Sequence, residues 1–460
     1  MKQTKRILIA GIVLILLVAA VFVVLALLPR DEQNKVLFPR WLVQVEADSV
    51  ERVEIADGSD TFALIFPGGK TVIEGYEGFP LTADATQNFR SAVSQIHAYD
   101  TVDSSGEKKA EFGIDMPART ITIVTARKTY RLYIGDPTPG GDAHYLATDD
   151  GPQIYTVKNS DLHLLLQARN ELINKQINSL PAETEYRIDY FRASYHGKTV
   201  FAFEVIEDGD PIYANAGGLF KITAPFRALG RDVNLISFLK QACNATASTV
   251  RSLDVSEQSL ASLGLLEPAG IVEYSYRGQT VTIYLSEPEN GFSNVMVKGY
   301  DVVYLALAYQ FGLYNFDAMD YVNVNQFKRD INDVSRILLT TPQGEYAYDL
   351  LVENGKVSAT GNGRELNGDA FTSFYKLLTT SSVAGEAEDP GTDGTIRMVF
   401  RYSSDLNREN DVVVFKPIND RQYFLEINGQ GSFYVSSAYV AKVISCAQAL
   451  QNGEAFDITI

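Results

Sequence analysis

Residues 131–147 read RLYIGDPTPGGDAHYLA, and a glycine-rich turn of this composition can serve three chemistries. Its backbone N–H groups can cradle a phosphate, its carboxylates can hold a cation, or it can reverse a hairpin. A phosphate loop needs Gly-x-x-x-x-Gly-Lys-Ser/Thr running from a strand into a helix. Here one strand-like run leads into another. A second stretch in the chain, Ser286-Glu287-Pro288-Glu289-Asn290-Gly291-Phe292, occupies the same place in a related pattern, and a third reads Lys416-Pro417-Ile418-Asn419-Asp420. Proline with Gly or Asn persists through all three, which is the chemistry of chain reversal. No fixed donor or carboxylate persists, so the stretch reads as a hairpin turn.

The remaining reactive residues form no set. His97, His144, His163 and His196 are the only histidines, and no two share a metal-ligand spacing such as His-Glu-x-x-His. There is no Gly-x-Ser-x-Gly nucleophile elbow. Asp149-Asp150, EDGD (207–210) and EAEDPGTDG (386–394) are acidic clusters in predicted loops, and the last lacks the alternating ligands of an EF-hand. A glycosidase pair can hide among many acids, but spacing in sequence does not select one. Cys243 and Cys446 sit in apolar, helix-like patterns far apart, as buried small hydrophobes do. Accordingly no catalytic, cofactor-binding or metal-binding residue is assigned, and no cofactor is implied.

Self-similarity is the stronger signal. Residues 111–166 and 262–313 align through Gly113 and Pro117 with Gly264 and Pro268. Each then runs strand, polar turn, strand, proline-containing turn, strand, turn and a short strand ending in Ile154–Tyr155 or Val303–Tyr304. Residues 394–444 repeat the succession without the Gly-x-x-x-Pro lead-in, ending in Phe433–Tyr434. VERVEI (50–55), YRIDYF (186–191) and VSRILL (334–339) open the three units, and helix-like stretches follow at 82–98, 230–245 and 367–381. In these stretches Phe89, Val93 and Ile96 recur at three- and four-residue spacing, as do Leu235, Phe238 and Leu239, and Phe371, Phe374, Leu377 and Leu378, so one face of each is apolar. Strands and helices in blocks predict α+β modules of mostly antiparallel sheet with covering helices.

The N-terminus has a different character. Lys2, Lys5 and Arg6 precede Ile7–Leu28, a run with no charge and no proline. About 20 helical residues cross a ~30 Å hydrocarbon core, so the run is read as a transmembrane helix. The competing reading is a cleaved signal peptide, with a shorter apolar region before its cleavage site. The basic flank keeps the N-terminus cytoplasmic and the C-terminal region extracytoplasmic. The organisation expected is a cytoplasmic tag (1–6), a transmembrane helix (7–28), a stalk (29–48) and three α+β repeat modules (49–170, 171–315, 316–460), in a single-pass cell-membrane protein that meets membrane lipid through 7–28. Without the three leading basic residues, 37 basic face 57 acidic residues, a net charge of −20. Such a surface disfavours nucleic acid.

VERVEI, then GIDMP (113–117), TYRLYIGD (129–136) and QIYTV (153–157), taken in that order and spacing, resemble a bacterial family, the domain of unknown function 4340. The resemblance covers residues 50–170 well and the later repeats more loosely. It departs in the early strand, where the family often has Trp and this chain has Val72 and Ile73. It implies no catalytic residues. It does imply a context, since members accompany ABC-2-type export systems similar to the gliding-motility transporters.

Together these readings predict a non-enzymatic binding or scaffold protein, an auxiliary component of such an exporter. Its expected partner is the transporter permease or an extracellular protein, met through sheet edges by strand addition. The alternatives are a surface-anchored hydrolase acting on cell-wall polymer and a structural spacer between membrane and wall.

Overall fold

Buried residues in three strands follow one unusual spacing, three and then two: Val50, Val53 and Ile55; Ile188, Phe191 and Ala193; Val334, Ile337 and Leu339. Strict alternation would put Val50 and Val53 on opposite faces of a sheet. A β-bulge reconciles them. The pairing register shifts between Val50 and Arg52, between Ile188 and Tyr190, and between Val334 and Arg336. Glu51, Asp189 and Ser335 are the extra residues, and each bulge returns the next apolar residue to the core.

The computed structural model describes residues 40–58, 60–76, 78–180, 188–210, 212–314, 316–394 and 396–459. The chain divides into two compact units, residues 1–77 with 83–172, and residues 78–82 with 173–460. The first unit holds an eight-stranded sheet and a two-stranded one, and the second holds two nine-stranded sheets. All pairings are antiparallel.

The three large sheets share one strand order. In the second, the chain starts at the centre with Ile188–Tyr195 and meanders outward through Lys198–Val205 and Phe220–Ala224 to Ala228–Leu229. The helix Asp232–Ala242 then carries it to the far edge, where it lays down Thr249–Ser252. Gly270–Tyr276 returns to the centre, and a second meander ends in Val303–Leu307 against that edge strand. The third sheet repeats this from Val334–Thr341 to Gln430–Ser436, and among the described residues the first lacks only the outermost strand. Ile154–Tyr155, Val303–Tyr304 and Phe433–Tyr434 all lie opposite the short far-edge strand of their sheet.

Helices cover one face. Ala85, Phe89 and Val93 of Ala83–Ser94 are buried, as are Leu235, Phe238 and Leu239 of Asp232–Ala242. Phe371, Phe374, Leu377 and Leu378 of Gly368–Thr379 complete the pattern. The 82–98 stretch is helical only to Ser94. Gln95–Ala98 is a strand paired with Arg40–Gln44, a segment read from sequence as stalk, and it buries Ile96 fully.

The expected fold class requires a correction in its leading element. Among the described residues no helix is long and apolar enough to cross a membrane. The longest, Ser437–Asn452, has 16 residues and buries Tyr439, Val440, Val443 and Leu450 in the third sheet's layer. At 1.5 Å per residue it reaches only ~24 Å, short of a ~30 Å hydrocarbon core. What the structure supports is a set of mostly antiparallel sheets with covering helices, not a single-pass membrane protein with a cytoplasmic N-terminus and an extracytoplasmic C-terminal region. The span assigned to 7–28, with its lipid contact, lies outside the described residues.

Candidate binding groove

The RLYIGDPTPGGDAHYLA stretch is a hairpin, Thr129–Pro137 returning as Ala143–Thr148. Its turn satisfies itself: Thr138 N–H donates to the Ala143 carbonyl and Gly141 N–H to the Thr138 carbonyl, each at 2.8 Å. Gly135 lies so close to the chain that a Cβ there would run into the Phe112 carbonyl oxygen. The glycine is there for packing.

The histidines stay apart. His144 Nδ1 meets Asn159 Oδ1 at 2.7 Å, His163 Nε2 meets Asp84 Oδ2 at 3.0 Å, and His196 Nε2 meets Glu287 Oε1 at 2.7 Å. His97 lies 3.5 Å from Asp161 and edge-on to Trp41. Among the described residues no three His, Cys, Asp or Glu side chains converge as metal ligands. Cys243 and Cys446 are free and buried.

Two of the acidic clusters acquire roles. In EDGD, Asp210 accepts hydrogen bonds from the backbone N–H of Ile212 and Tyr213 and from Lys221 Nζ at 2.7 Å. Burial pushes the Asp210 carboxyl up, but Lys221 and the two amides outweigh it and hold it below its ordinary value. This clamp positions the loop bearing Tyr213. In EAEDPGTDG, Asp389 Oδ2 pairs with Lys416 Nζ at 2.7 Å, and Lys416 also reaches Glu426 Oε2 at 2.7 Å.

Both loops border one groove of about 390 Å³ in the second unit. Phe424, Leu425, Ile427 and Phe433 supply an apolar floor from two neighbouring strands of the third sheet. Tyr213 and Ile212 close one side. The rim is polar: Arg227, exposed on the turn beyond Phe220–Ala224, donates from Nη1 to Gln430 Oε1 at 2.9 Å, while Asp389 stands on the loop after Gly385–Glu386 and Glu426 on the strand Gln422–Ile427. Phe226 packs edge-on against Phe433 at 5.0 Å between ring centroids. A second hollow of about 170 Å³ shares Ile212, Tyr213, Arg227 and Gln430.

Behind the groove lies a buried ionic cluster. Arg329 Nε donates to Asp411 Oδ2 at 2.6 Å, Arg408 Nη2 donates to the same oxygen at 3.0 Å, and Tyr402 also donates its hydroxyl to it. Asn428 Nδ2 donates to Asp411 Oδ1 at 2.7 Å, and Arg329 Nη2 donates to the Ile212 carbonyl at 2.8 Å. Burial raises the Asp411 carboxyl, yet the bonds from Arg329, Tyr402 and Asn428 prevail and keep it below its usual range. Through Ile212 the cluster fixes one wall of the groove.

The groove thus joins an apolar floor to a rim of paired charges. Asp389 and Glu426 share the Lys416 ammonium, each at 2.7 Å. The Lys416 hydrogen bond holds the Asp389 carboxyl below its ordinary value.

Residues 72–214 and 221–395 match the family model described as a domain of unknown function (DUF4340). The chain belongs to the DUF4340 family. Each DUF4340 segment begins at the third strand of an outward meander, near Val72–Ile73 in the first sheet and within Phe220–Ala224 in the second. Each then runs on into the opening strands of the following sheet. No curated protein matches the chain.

Sequence reasoning missed Tyr213, Arg227, Arg329, Asp411 and Gln430. Arg329 and Asp411 are 82 positions apart and Arg227 and Gln430 are 203, so no local spacing marks them. The one local signal is the flanking of Gln430 by Gly429 and Gly431, which leaves the backbone bare at the groove.

Proposed function

We propose that this protein acts by binding: the groove bounded by Tyr213, Arg227, Gln430 and Phe433 holds a segment of a partner protein. The observation carrying this reading is the pairing of an apolar aromatic floor with a rim of paired charges, the usual layout of a recognition site. Binding is assigned to the groove rather than to sheet edges. The edges of the three large sheets end in Val72–Ile73 and Asp100–Asp103, Ala228–Leu229 and Thr249–Ser252, and Arg364–Leu366 and Gly385–Glu386. Edge strands of two to four residues discourage strand addition.

The family resemblance supplies the class of partner, the permease of an ABC-2-type export system, for which this chain serves as an auxiliary scaffold. That step is analogy at the level of family. The test is chemical crosslinking of the full-length protein in its native cells, followed by purification and mass spectrometry. Stoichiometric recovery of an export permease or ATPase supports the assignment. Recovery of the protein alone overturns the partner, and capture undiminished by Arg227→Glu with Gln430→Lys overturns the groove.

A further inference from the structure

The second and third sheets are built to one plan, so each serves as a control for the other. Asn178 and Phe327 each stand two residues beyond an equivalent isolated bridge, Gln176 to Thr246 and Asn325 to Ser382. Tyr274 and Phe400 are equivalent by register, opposite Phe191 and Ile337. In the third sheet these positions form an apolar stack, Phe327 on Phe400 at 4.8 Å between centroids. In the second they form a polar pair. Asn178 Nδ2 donates to the Tyr274 hydroxyl and to the Ala242 carbonyl, both at 3.1 Å.

The difference continues outward. Asp411 and Asn428 of the third sheet correspond to Val281 and Lys298 of the second, as the pairing of Tyr274 with Val281 and the Lys298 N–H bond to Thr282 establish. Where the third sheet packs Arg329 into its ionic cluster, the second keeps a groove of about 610 Å³. Tyr402 spends its hydroxyl on Asp411, while the equivalent Tyr276 has no partner for its own among the described residues. The side chains of Gln279, Lys298 and Tyr300, also lining the groove, are likewise without a hydrogen-bond partner among the described residues. Tyr300 is 49 % exposed and Tyr276 half-buried, so aromatic faces and free polar groups stand together at the mouth.

We infer that this groove binds a neutral oligosaccharide. Among the described residues Lys298 is the only charged one lining it, in a chain of net charge −17, which disfavours nucleotides and other polyanions. The amides, hydroxyls and tyrosine tips disfavour a purely apolar ligand, since each would lose its water without replacement. A sugar answers both halves: its C–H face lies on a tyrosine ring and its hydroxyls exchange hydrogen bonds with Gln279, Lys298 and the phenols. The volume falls within the range of small-ligand sites, about 300–1,000 Å³.

The experiment is titration of the full-length protein with chitotriose, cellotriose and maltotriose, read by saturation-transfer NMR and calorimetry. At least one should bind saturably with a dissociation constant of about 1 mM or tighter, and Tyr300→Ala and Tyr276→Ala should each weaken it by about tenfold or more. Thermal melts of both variants should match the parent, because neither ring belongs to the closed core. Absence of saturable binding by all three sugars overturns the proposal, as does affinity unchanged in both variants.

Discussion

Arg329 and Asp411, 2.6 Å apart and both nearly inaccessible to solvent, tie the linker between the second and third sheets to the first residue of the strand Asp411–Asn419. Removing one partner leaves the other as an uncompensated buried charge. Asp411→Ala should therefore cost about 3–5 kcal/mol, a loss of the size seen when a buried pair is broken on one side. Urea unfolding monitored by circular dichroism measures it, and a midpoint unchanged from the parent would refute the pairing.

The same carboxyl predicts an acid limb. Its folded pKa is depressed, so the unfolded chain binds more protons once the pH nears the ordinary value of about 3.9. Its contribution to stability is present above that value and is lost as pH falls through the lower folded value. Urea midpoints between neutral and strongly acidic pH should drop along this limb, and Asp411→Asn should flatten it.

Glycines of one hairpin separate steric need from conformational need. At Gly135 a Cβ would meet the Phe112 carbonyl oxygen, whereas Gly141 sits at φ 73° with open space around it. Gly141→Ala should cost about 1–2 kcal/mol, the left-handed penalty alone. Gly135→Ala should exceed it, because backbone must move to make room. Thermal denaturation ranks the two, and the reverse order would show the close approach to be unimportant.

Cys243 is fully buried, and burial alone pushes its thiol up, while burial also raises Cys446. Only the thiolate attacks a disulfide reagent. Native protein should leave both thiols unmodified by Ellman's reagent at mildly alkaline pH, and protein in concentrated urea should titrate two per chain. Rapid labelling of the native state would contradict this burial.

Arg227 and Gln430 are exposed, and their contact at 2.9 Å crosses the groove rim. Arg227→Glu should leave stability within about 0.5 kcal/mol, as surface changes do, while abolishing partner capture. A melt and a crosslinking assay on the same preparation separate the two effects.

Much of the sheet architecture is readable from residues close in sequence. The three-then-two spacing of Val50, Val53 and Ile55, repeated at Ile188 and Val334, encodes a bulge, because only an added residue brings both apolar positions to one face. The helix faces of Phe89, Leu235 and Phe371 follow from 3.6-residue periodicity. Ile96 is the exception: helical spacing claims it, but pairing with Arg40–Gln44 makes it part of a strand.

What the sequence by itself determined is local: where the chain turns, which residues alternate, and that one unit is written three times. Hydrogen-bonded turns and side-chain periodicity act over a few residues, so their signals survive in linear order. The tertiary structure alone decided where the copies diverged in packing. Phe327 on Phe400 and Asn178 on Tyr274 occupy one position in two sheets, and only packing reveals that the first pair closes a core while the second opens a groove. Arg329 finds Asp411, and Arg227 finds Gln430, across separations that no local pattern spans, because burial and charge pairing act through space rather than along the chain.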